Sequence, residues 1–189
     1  MHHPLYILYF SGKPPIAHRD LKSKNILVKK DLTCAIADFG LSVKLDTEND
    51  TVDLPHNSKV GTKRYLPPEV LDESLNKNHF DAWKRADVYS LGLVFWEMGR
   101  RCSGQGILAE EFREPYFDVV PMEHTLEDMK VVVCDKKVRP TCPNRWHESE
   151  HLMTLSKIMK ECWYENPEAR LTALRIKKSL STLEYTPTK

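Results

Sequence analysis

Two short polar motifs constrain the fold and chemistry of this chain more than any other feature. The first reads AHRDLKSKN and runs from Ala17 to Asn25, and the second, Asp38-Phe39-Gly40, begins thirteen positions after Asn25. Two β-branched, apolar runs, at 26–30 and 33–39, predict a β-hairpin that begins just after Asn25 and ends at Asp38. The hairpin would therefore bring the two motifs together.

The side chains of these motifs suit phosphoryl transfer, which depends mainly on positioning and on neutralising negative charge. Asp20 would accept or orient the proton of an attacking hydroxyl, and Lys22 would place a compact positive charge beside the moving phosphoryl. Asn25 and Asp38 offer hard oxygen ligands, which suit Mg²⁺ or Mn²⁺. The two motifs together thus predict a site for a metal-bound nucleotide.

The pattern H-R-D-L-K-x-x-N followed by D-F-G resembles the catalytic loop and metal-binding motif of protein kinases. The resemblance implies that Asp20 and Lys22 are catalytic and that ATP and a divalent metal are the cofactors. It also implies that the nucleotide is bound by four residues, with Leu27 forming the floor under the adenine: Lys22, Asn25, Leu27 and Asp38.

Residues further along the chain resemble the same family at the expected distances. The stretch GTKRY at 61–65 resembles the segment that receives the substrate residue, and implies that Thr62 is bonded near Asp20 and Lys22. Pro67-Pro68-Glu69 resembles the A-P-E motif that closes the activation segment, with proline in place of alanine. The resemblance assigns structural support to five residues, among them a Glu69–Arg170 pair and an aspartate that braces the catalytic loop: His18, Arg19, Glu69, Asp87 and Arg170.

Lys22 and Thr62 favour a serine/threonine kinase over a tyrosine kinase. Four stretches are similar to the type I receptors of the TGF-β superfamily, most of all to the bone-morphogenetic-protein branch: KSKNILVKK, VGTKRYLPPEVLDESLN, RPTCPNRW and KECWYENPEARLTALRIKKSL. Phe39 stands where those receptors more usually carry leucine. The resemblance implies a single-pass membrane receptor with its kinase on the cytoplasmic side, Smad proteins as substrates phosphorylated on serine, and a type II receptor as partner.

The predicted fold is mainly α with a small β-hairpin, a protein-kinase-like large (C-terminal) lobe without the N-terminal lobe. Residues 1–11 match the family poorly, 12–184 form the lobe, with catalytic loop 18–25 and activation segment 38–69, and 185–189 form a tail. Only nineteen residues precede Asp20, and none of them is Asp or Glu. We therefore expect this chain alone to bind ATP weakly and to have little activity. The alternative is a non-catalytic lobe that competes with the complete receptor for its partners.

The sequence after Pro68 is predicted to be helical. The first helix, 86–98, is apolar nearly all round and should be buried. Three more helices are indicated by caps and apolar spacing: Thr125–Val133 with Thr125 as its cap, Leu152–Cys162, and Thr172–Leu183. The acidic stretch 45–57, which contains Pro55, is predicted to be an exposed loop.

Composition excludes several other classes of protein. A chain of 189 residues supports one core of ordinary size, and a formal net charge of +1 gives no electrostatic basis for binding nucleic acid or a membrane surface. Five cysteines without a C-x-x-C pair predict a reducing compartment, no disulfide partner and mostly buried thiols. The apolar run Leu5–Phe10 is too short to span a membrane, and no Lys or Arg precedes it to make a signal peptide.

One further motif suggests a different chemistry. His147-Glu148-Ser149-Glu150-His151 fits the zinc-protease pattern H-E-x-x-H, and Glu165 or Glu168 could supply a third ligand. The competing interpretation is a helix start capped by Ser149, with the acidic residues in its first turn. The second interpretation is favoured, because the motif follows Pro143 and a zinc site needs it well inside a helix.

Overall fold

A computed structural model of the chain describes residues 14–54, 61–104, 106 and 108–183. The strands of this part are β1 (Ile16–Ala17), β2 (Ile26–Val28), β3 (Cys34–Ile36), β4 (Val43–Asp46) and β5 (Thr51–Asp53). The α-helices are α1 (Pro68–Leu71), α2 (Phe80–Arg101), α3 (Leu126–Lys130), α4 (Glu150–Cys162) and α5 (Ala173–Leu180). Short 3₁₀ helices span Ser23–Asn25, Lys63–Tyr65, Asn144–Glu148 and Pro167–Ala169, and a π-helical turn spans Val131–Asp135.

Helix α2 is the central element of the core. Its apolar residues face neighbours on nearly all sides, so that Leu93 and Trp96 are almost completely buried. Helix α4 packs closely against it: a Cβ added to Gly92 would lie 2.8 Å from the Cβ of Cys162. The predicted buried helix is therefore confirmed, and it is longer than the apolar run 86–98 because Phe80 and Trp83 extend its buried surface.

The predicted hairpin is present as β2 and β3, which pair antiparallel with Ile26 opposite Ile36. Its strands are shorter than predicted. The backbone continues the pairing at one end, where the Ala37 amide donates to the Asn25 carbonyl at 2.8 Å. This contact places the start of the second motif beside the end of the first.

The prediction of an exposed loop over 45–57 is wrong for the described part of that stretch. Strands β4 and β5 pair there, and β4 also pairs with β1, which gives a three-stranded sheet in the order β1-β4-β5. The apolar residues of the two strands and of the position after β5 alternate with polar ones and pack toward the start of α2: Val43, Leu45, Val52 and Leu54. Burial of that apolar face outweighs the acidic character of the stretch. Residues 55–57 lie outside the described residues.

The predicted helix starts are present with their caps. Thr125 accepts from the Asp128 amide while Asp128 accepts from the Thr125 amide, a capping box, and Ser149 and Thr172 accept from the amides of Leu152 and Arg175. The prediction of helical structure throughout the sequence after Pro68 is wrong for 102–124, which forms mainly turns and irregular backbone in its described residues. Pro115 and Pro121 interrupt a helix there.

All five cysteines lie in the described ranges and are free thiols. The prediction that most of them are buried is wrong: only Cys162 is buried, and Cys34 and Cys102 are exposed. Cys34 lies on a two-stranded hairpin that has too few neighbours to cover it. Among the described helices, none combines the length and the apolar character needed to cross a membrane.

Candidate active site

The backbone at the start of the catalytic loop is held by the carboxylate of Asp87 in α2. Its carboxylate accepts the backbone amide of His18 at 2.6 Å and that of Arg19 at 2.8 Å. Burial raises the pKa of Asp87, and these two amide bonds oppose the shift. Arg19 has a positive φ of 67°, so the loop turns sharply at a residue whose amide bonds to Asp87. Asp87, a polar residue in an apolar helix, thus anchors the backbone of the first two residues of this loop.

His18 fixes the loop from the other side. The Asp20 amide donates to His18 Nδ1 at 3.3 Å, so Nε2 carries the proton and donates to the Ala37 carbonyl at 2.9 Å. The ring also meets Phe39 edge-on, with centroids 5.1 Å apart. One buried imidazole therefore connects the two sequence motifs.

Asp20, Lys22 and Thr62 form a closed triangle of hydrogen bonds. The Lys22 ammonium donates to Asp20 Oδ2 at 2.8 Å and to Thr62 Oγ1 at 2.7 Å. Asp20 Oδ1 accepts both the amide and the hydroxyl of Thr62, each at 2.7 Å. Burial acts to raise the pKa of Asp20, but the hydrogen bonds from Lys22 and Thr62 outweigh it, and the net pKa is lowered. Asp20 is therefore an ionised carboxylate at neutral pH.

Asn25 and Asp38 lie at the same end of the hairpin, since the Asn25 carbonyl accepts from the residue before Asp38. Asn25 is buried, and its Nδ2 donates to the Asp20 carbonyl at 2.9 Å, a bond that does not use the amide oxygen. Asp38 is exposed, with a positive φ of 63° that turns the chain at this point. One amide oxygen and one carboxylate fit Mg²⁺ or Mn²⁺, because such ions take few protein ligands when phosphates supply the others. Leu27 of β2 is 54% exposed, so its side chain is free to contact a base.

The segment that carries Thr62 is also held by contacts that the sequence analysis did not predict. The Tyr65 hydroxyl donates to Glu97 Oε1 at 2.5 Å in a buried contact, and burial raises the pKa of both groups. Gly61 lies so close to the catalytic loop that an added Cβ would be 2.3 Å from the Arg19 carbonyl oxygen. Glu97 was recognisable by the same signal as Asp87, a lone acid in an apolar helix.

Glu69 and Arg170 form the predicted pair. Arg170 donates to both carboxylate oxygens of Glu69, at 2.6 and 2.7 Å, and both side chains are buried. The pair joins the end of the activation segment to the stretch that precedes α5. Neither Glu69 nor Arg170 bonds to Asp20, Lys22 or Thr62, so the role of the pair is structural.

The zinc alternative is not supported by the structure. His147 and Glu148 lie in a 3₁₀ turn before α4, whereas His151 lies in the helix, which starts at Glu150 after the Ser149 cap. The two histidines therefore do not occupy successive turns of one helix. Across the described ranges, no group of three or more His, Cys, Asp or Glu side chains could hold a metal ion.

Comparison with known proteins agrees with this geometry. A family model described as the protein kinase domain matches residues 5–180. TGF-beta receptor type-1 of Rattus norvegicus is 58% identical over 182 residues, which cover 96% of this chain and 36% of the receptor. Activin receptor type-1C and activin receptor type-1B, both of Homo sapiens, are 58% and 57% identical over the same length, with 37% and 36% of each covered. These similarities confirm the resemblance to type I receptors, whereas the bone-morphogenetic-protein branch stays a prediction. The chain spans a little over a third of the length of these relatives.

Proposed function

Because this chain belongs to the protein kinase family, we propose that it carries the catalytic loop and substrate segment of a receptor serine/threonine kinase. The reaction is transfer of the γ-phosphoryl of ATP to a serine hydroxyl of a protein, giving ADP and phosphoserine. The observation that carries the proposal is the position of the Lys22 ammonium, which bonds the Asp20 carboxylate and the Thr62 hydroxyl at once. That arrangement suits neutralisation of a moving phosphoryl beside a carboxylate that orients the attacking hydroxyl.

Asp20 acts on the attacking hydroxyl mainly by orienting it. A carboxylate has about four lone-pair positions. Thr62 and Lys22 occupy three of those of Asp20, and the fourth accepts only a long bond of 3.4 Å from Asn25 Nδ2, which a substrate hydroxyl can replace. The lowered pKa of Asp20 makes it a weak base before transfer. The proton therefore passes to Asp20 late, once the hydroxyl oxygen has begun to bond to phosphorus and has become acidic.

The residues at the other end of the catalytic loop bind the nucleotide and its metal. Asn25 and Asp38 would hold the ion through their oxygens, and Leu27 would lie against the adenine. When bound, the ion neutralises charge on the phosphates. The hydrogen bond from Asn25 Nδ2 to the Asp20 carbonyl fixes the position of the proposed metal ligand relative to the catalytic residue.

The finer assignments rest on the similarity to receptors named for TGF-beta and activin. We propose that the substrates are receptor-regulated Smad proteins, phosphorylated on C-terminal serines, and that a type II receptor is a partner. The kinase would then lie on the cytoplasmic side of a membrane as part of a single-pass receptor.

A chimaera provides the test, because this chain spans only part of its relatives. The matching stretch of TGF-beta receptor type-1 is replaced by this chain, and transfer from Mg-ATP to a Smad protein is measured. Asp20→Asn should lower the rate by roughly 10²–10⁴-fold. Asp31→Asn is the matched control, since Asp31 lies in the exposed hairpin turn, where it bonds to Thr33 and forms a long, exposed pair with Lys29 at 4.0 Å. Equal rates for the two variants would overturn the proposal.

The second candidate is a lobe that binds substrate without phosphorylating it. It is favoured by one contrast within the described residues: the substrate segment is anchored on every side, while Leu27 has no wall opposite it. The isolated chain would then bind the same Smad protein as the chimaera and transfer no phosphoryl. Transfer by the isolated chain would exclude this candidate.

A further inference from the structure

Four consecutive side chains of the substrate segment are each fastened to a different part of the molecule. Thr62 bonds to the catalytic loop, and Tyr65 bonds to Glu97 of α2. Between them, Lys63 donates to the His124 carbonyl at 2.7 Å, and Arg64 turns into the protein interior. Because four consecutive side chains are anchored, the position of this segment relative to the catalytic loop is tightly constrained.

Arg64 is the most deeply buried member of the segment's charged residues, at 4% exposure. Its Nη1 donates to the Pro115 carbonyl at 3.0 Å, and its Nη2 donates to the carbonyls of Val120 and Pro121 at 3.1 and 2.7 Å. These carbonyls belong to irregular backbone and find no helix or sheet partner there. The guanidinium therefore holds the stretch 114–121 against the substrate segment through several donors at once.

Glu114, at the start of that stretch, extends the connection to the catalytic loop. Its Oε2 lies 3.3 Å from Arg64 Nε, and its Oε1 lies 3.7 Å from the ammonium of Lys24. Lys24 belongs to the 3₁₀ helix Ser23–Asn25, directly before the proposed metal ligand Asn25. One carboxylate thus joins a substrate-segment residue to a catalytic-loop residue.

We propose that Arg64 and Glu114 are positioning residues that fix the distance between the catalytic loop and the segment that receives the protein substrate. The substrate part of this statement rests on the proposed function; the mechanical coupling does not. The Asp20–Lys22–Thr62 triangle and a hydrogen bond between Ser23 and Tyr65 connect the two elements directly. The Lys24–Glu114–Arg64 bridge adds a connection through a third element, the stretch 114–121, and so restricts pivoting of the two elements about their direct contacts.

The test is hydrogen exchange, followed by mass spectrometry, on the full chain. Glu114→Gln keeps the shape of the side chain and removes its charge. Segments 21–26 and 61–66 should then both exchange about two- to fivefold faster, with the midpoint of urea unfolding unchanged. Glu111→Gln is the matched control, because the Glu111 side chain is 89% exposed and, among the described residues, its one ion pair is with Arg113, at 3.6 Å. It should leave both segments as in the wild type.

Salt and a second variant separate positioning from general loosening. About 1 M NaCl, where charges are screened beyond roughly 3 Å, should speed exchange of the two segments in the wild type and have little further effect in Glu114→Gln. Lys24→Gln should reproduce the faster exchange of 21–26, and the double variant should show no addition. Wild-type exchange in Glu114→Gln, or faster exchange confined to 114–121, would overturn the coupling.

Failure of this inference is distinguishable from failure of the proposed function. If Asp20→Asn abolishes phosphorylation by the chimaera while the exchange of Glu114→Gln is that of the wild type, the kinase assignment stands and the bridge does not. If the exchange rises as expected and the chimaera transfers no phosphoryl, the bridge stands and the kinase assignment fails.

Discussion

Arg170 and Glu69 form a bidentate ion pair although 101 positions separate them in the chain. The Arg170 side chain is completely buried, and it also donates to the carbonyls of Tyr164 and Arg85, at 2.9 and 3.0 Å. Its guanidinium lies 5.1 Å from the ring centroid of Tyr89. A single side chain thus joins α1, α2 and the stretch before α5, which makes the pair a structural link between distant parts of the sequence.

Arg170→Met should destabilise the chain strongly. The substitution leaves Glu69 buried without its partner, a change that typically costs about 3–5 kcal/mol of unfolding free energy. The measurement is urea unfolding. Arg85→Met is the control, because Arg85 and Glu168 form a partly exposed pair at 3.5 Å that should contribute about 1 kcal/mol or less. Comparable losses in the two variants would show that the buried pair is not the link described.

Thr62→Val should impair phosphoryl transfer without unfolding the chain. Valine keeps the branched shape, and its backbone amide can still donate a hydrogen bond to Asp20. It lacks the hydroxyl that accepts from Lys22 and donates to Asp20. Misplacement of a catalytic group by about 1 Å can lower a rate roughly 10²-fold, and we expect a loss of that order in the chimaera. Thr62→Ser keeps both hydroxyl bonds and should retain most activity. A valine variant as active as the serine variant would remove Lys22 and Thr62 from the mechanism.

The sequence predicted the elements whose signals are local. The hairpin of β2 and β3 is specified by β-branched residues around a turn, and the starts of α3, α4 and α5 by Thr125, Ser149 and Thr172. Each signal lies within a few residues of the structure that it forms, because caps and turns satisfy nearby backbone groups.

The elements that the sequence did not predict depend on distant partners. Strand β4 exists because it pairs with β1, which is more than twenty residues earlier, and because Leu45 and Val52 pack toward α2. The acidic residues between the two strands mask this alternation. The π-helical turn at Val131–Asp135 similarly has no pattern of its own in the sequence.

The site shows the same division. The first motif predicted Asp20 and Lys22, and the stretch GTKRY predicted Thr62, because their order and spacing are specific. Arg64 lies in that stretch but received no role of its own, and Glu114 belongs to no motif. Arg64 and Glu114 act through a backbone carbonyl and an ion pair that come together only when the chain folds. Glu97 could have been predicted from the sequence, because an acidic residue among the apolar residues of α2 needs a buried hydrogen-bond partner. That partner is Tyr65.

Gly61→Ala should separate the substrate segment from the catalytic loop. The new methyl group would lie 2.3 Å from the Arg19 carbonyl oxygen, and backbone held by Asp87 cannot move aside easily. We expect a loss of roughly 1–3 kcal/mol in unfolding free energy and weaker protection of the Thr62 amide from exchange. Gly40→Ala is the control for stability, because its nearest added contact is 3.4 Å, an ordinary distance. If Gly61→Ala is no less stable than Gly40→Ala, the close approach has been overestimated.

Glu97 should make the chain less stable as pH rises. Burial raises the pKa of Glu97 in the folded chain, and the hydrogen bond from Tyr65 offsets this only in part. The folded state therefore binds the proton more tightly than the unfolded state. Its contribution to stability is complete below the ordinary carboxyl pKa of 4.5 and is lost as pH rises through the raised value.

Glu97→Gln removes the titration and keeps an oxygen that can accept from the Tyr65 hydroxyl. Urea unfolding from about pH 4 to about pH 8 should show a decline for the wild type that is shallower in Glu97→Gln, by about 1.4 kcal/mol for each unit by which the pKa is raised. Asp87 titrates in the same direction, so the difference between variant and wild type is the quantity to read. Glu123→Gln, at an exposed position, should retain the wild-type slope. Parallel curves for Glu97→Gln and the wild type would mean that Glu97 remains ionised in its buried position, because Tyr65 and its surroundings then stabilise the charge as well as water does.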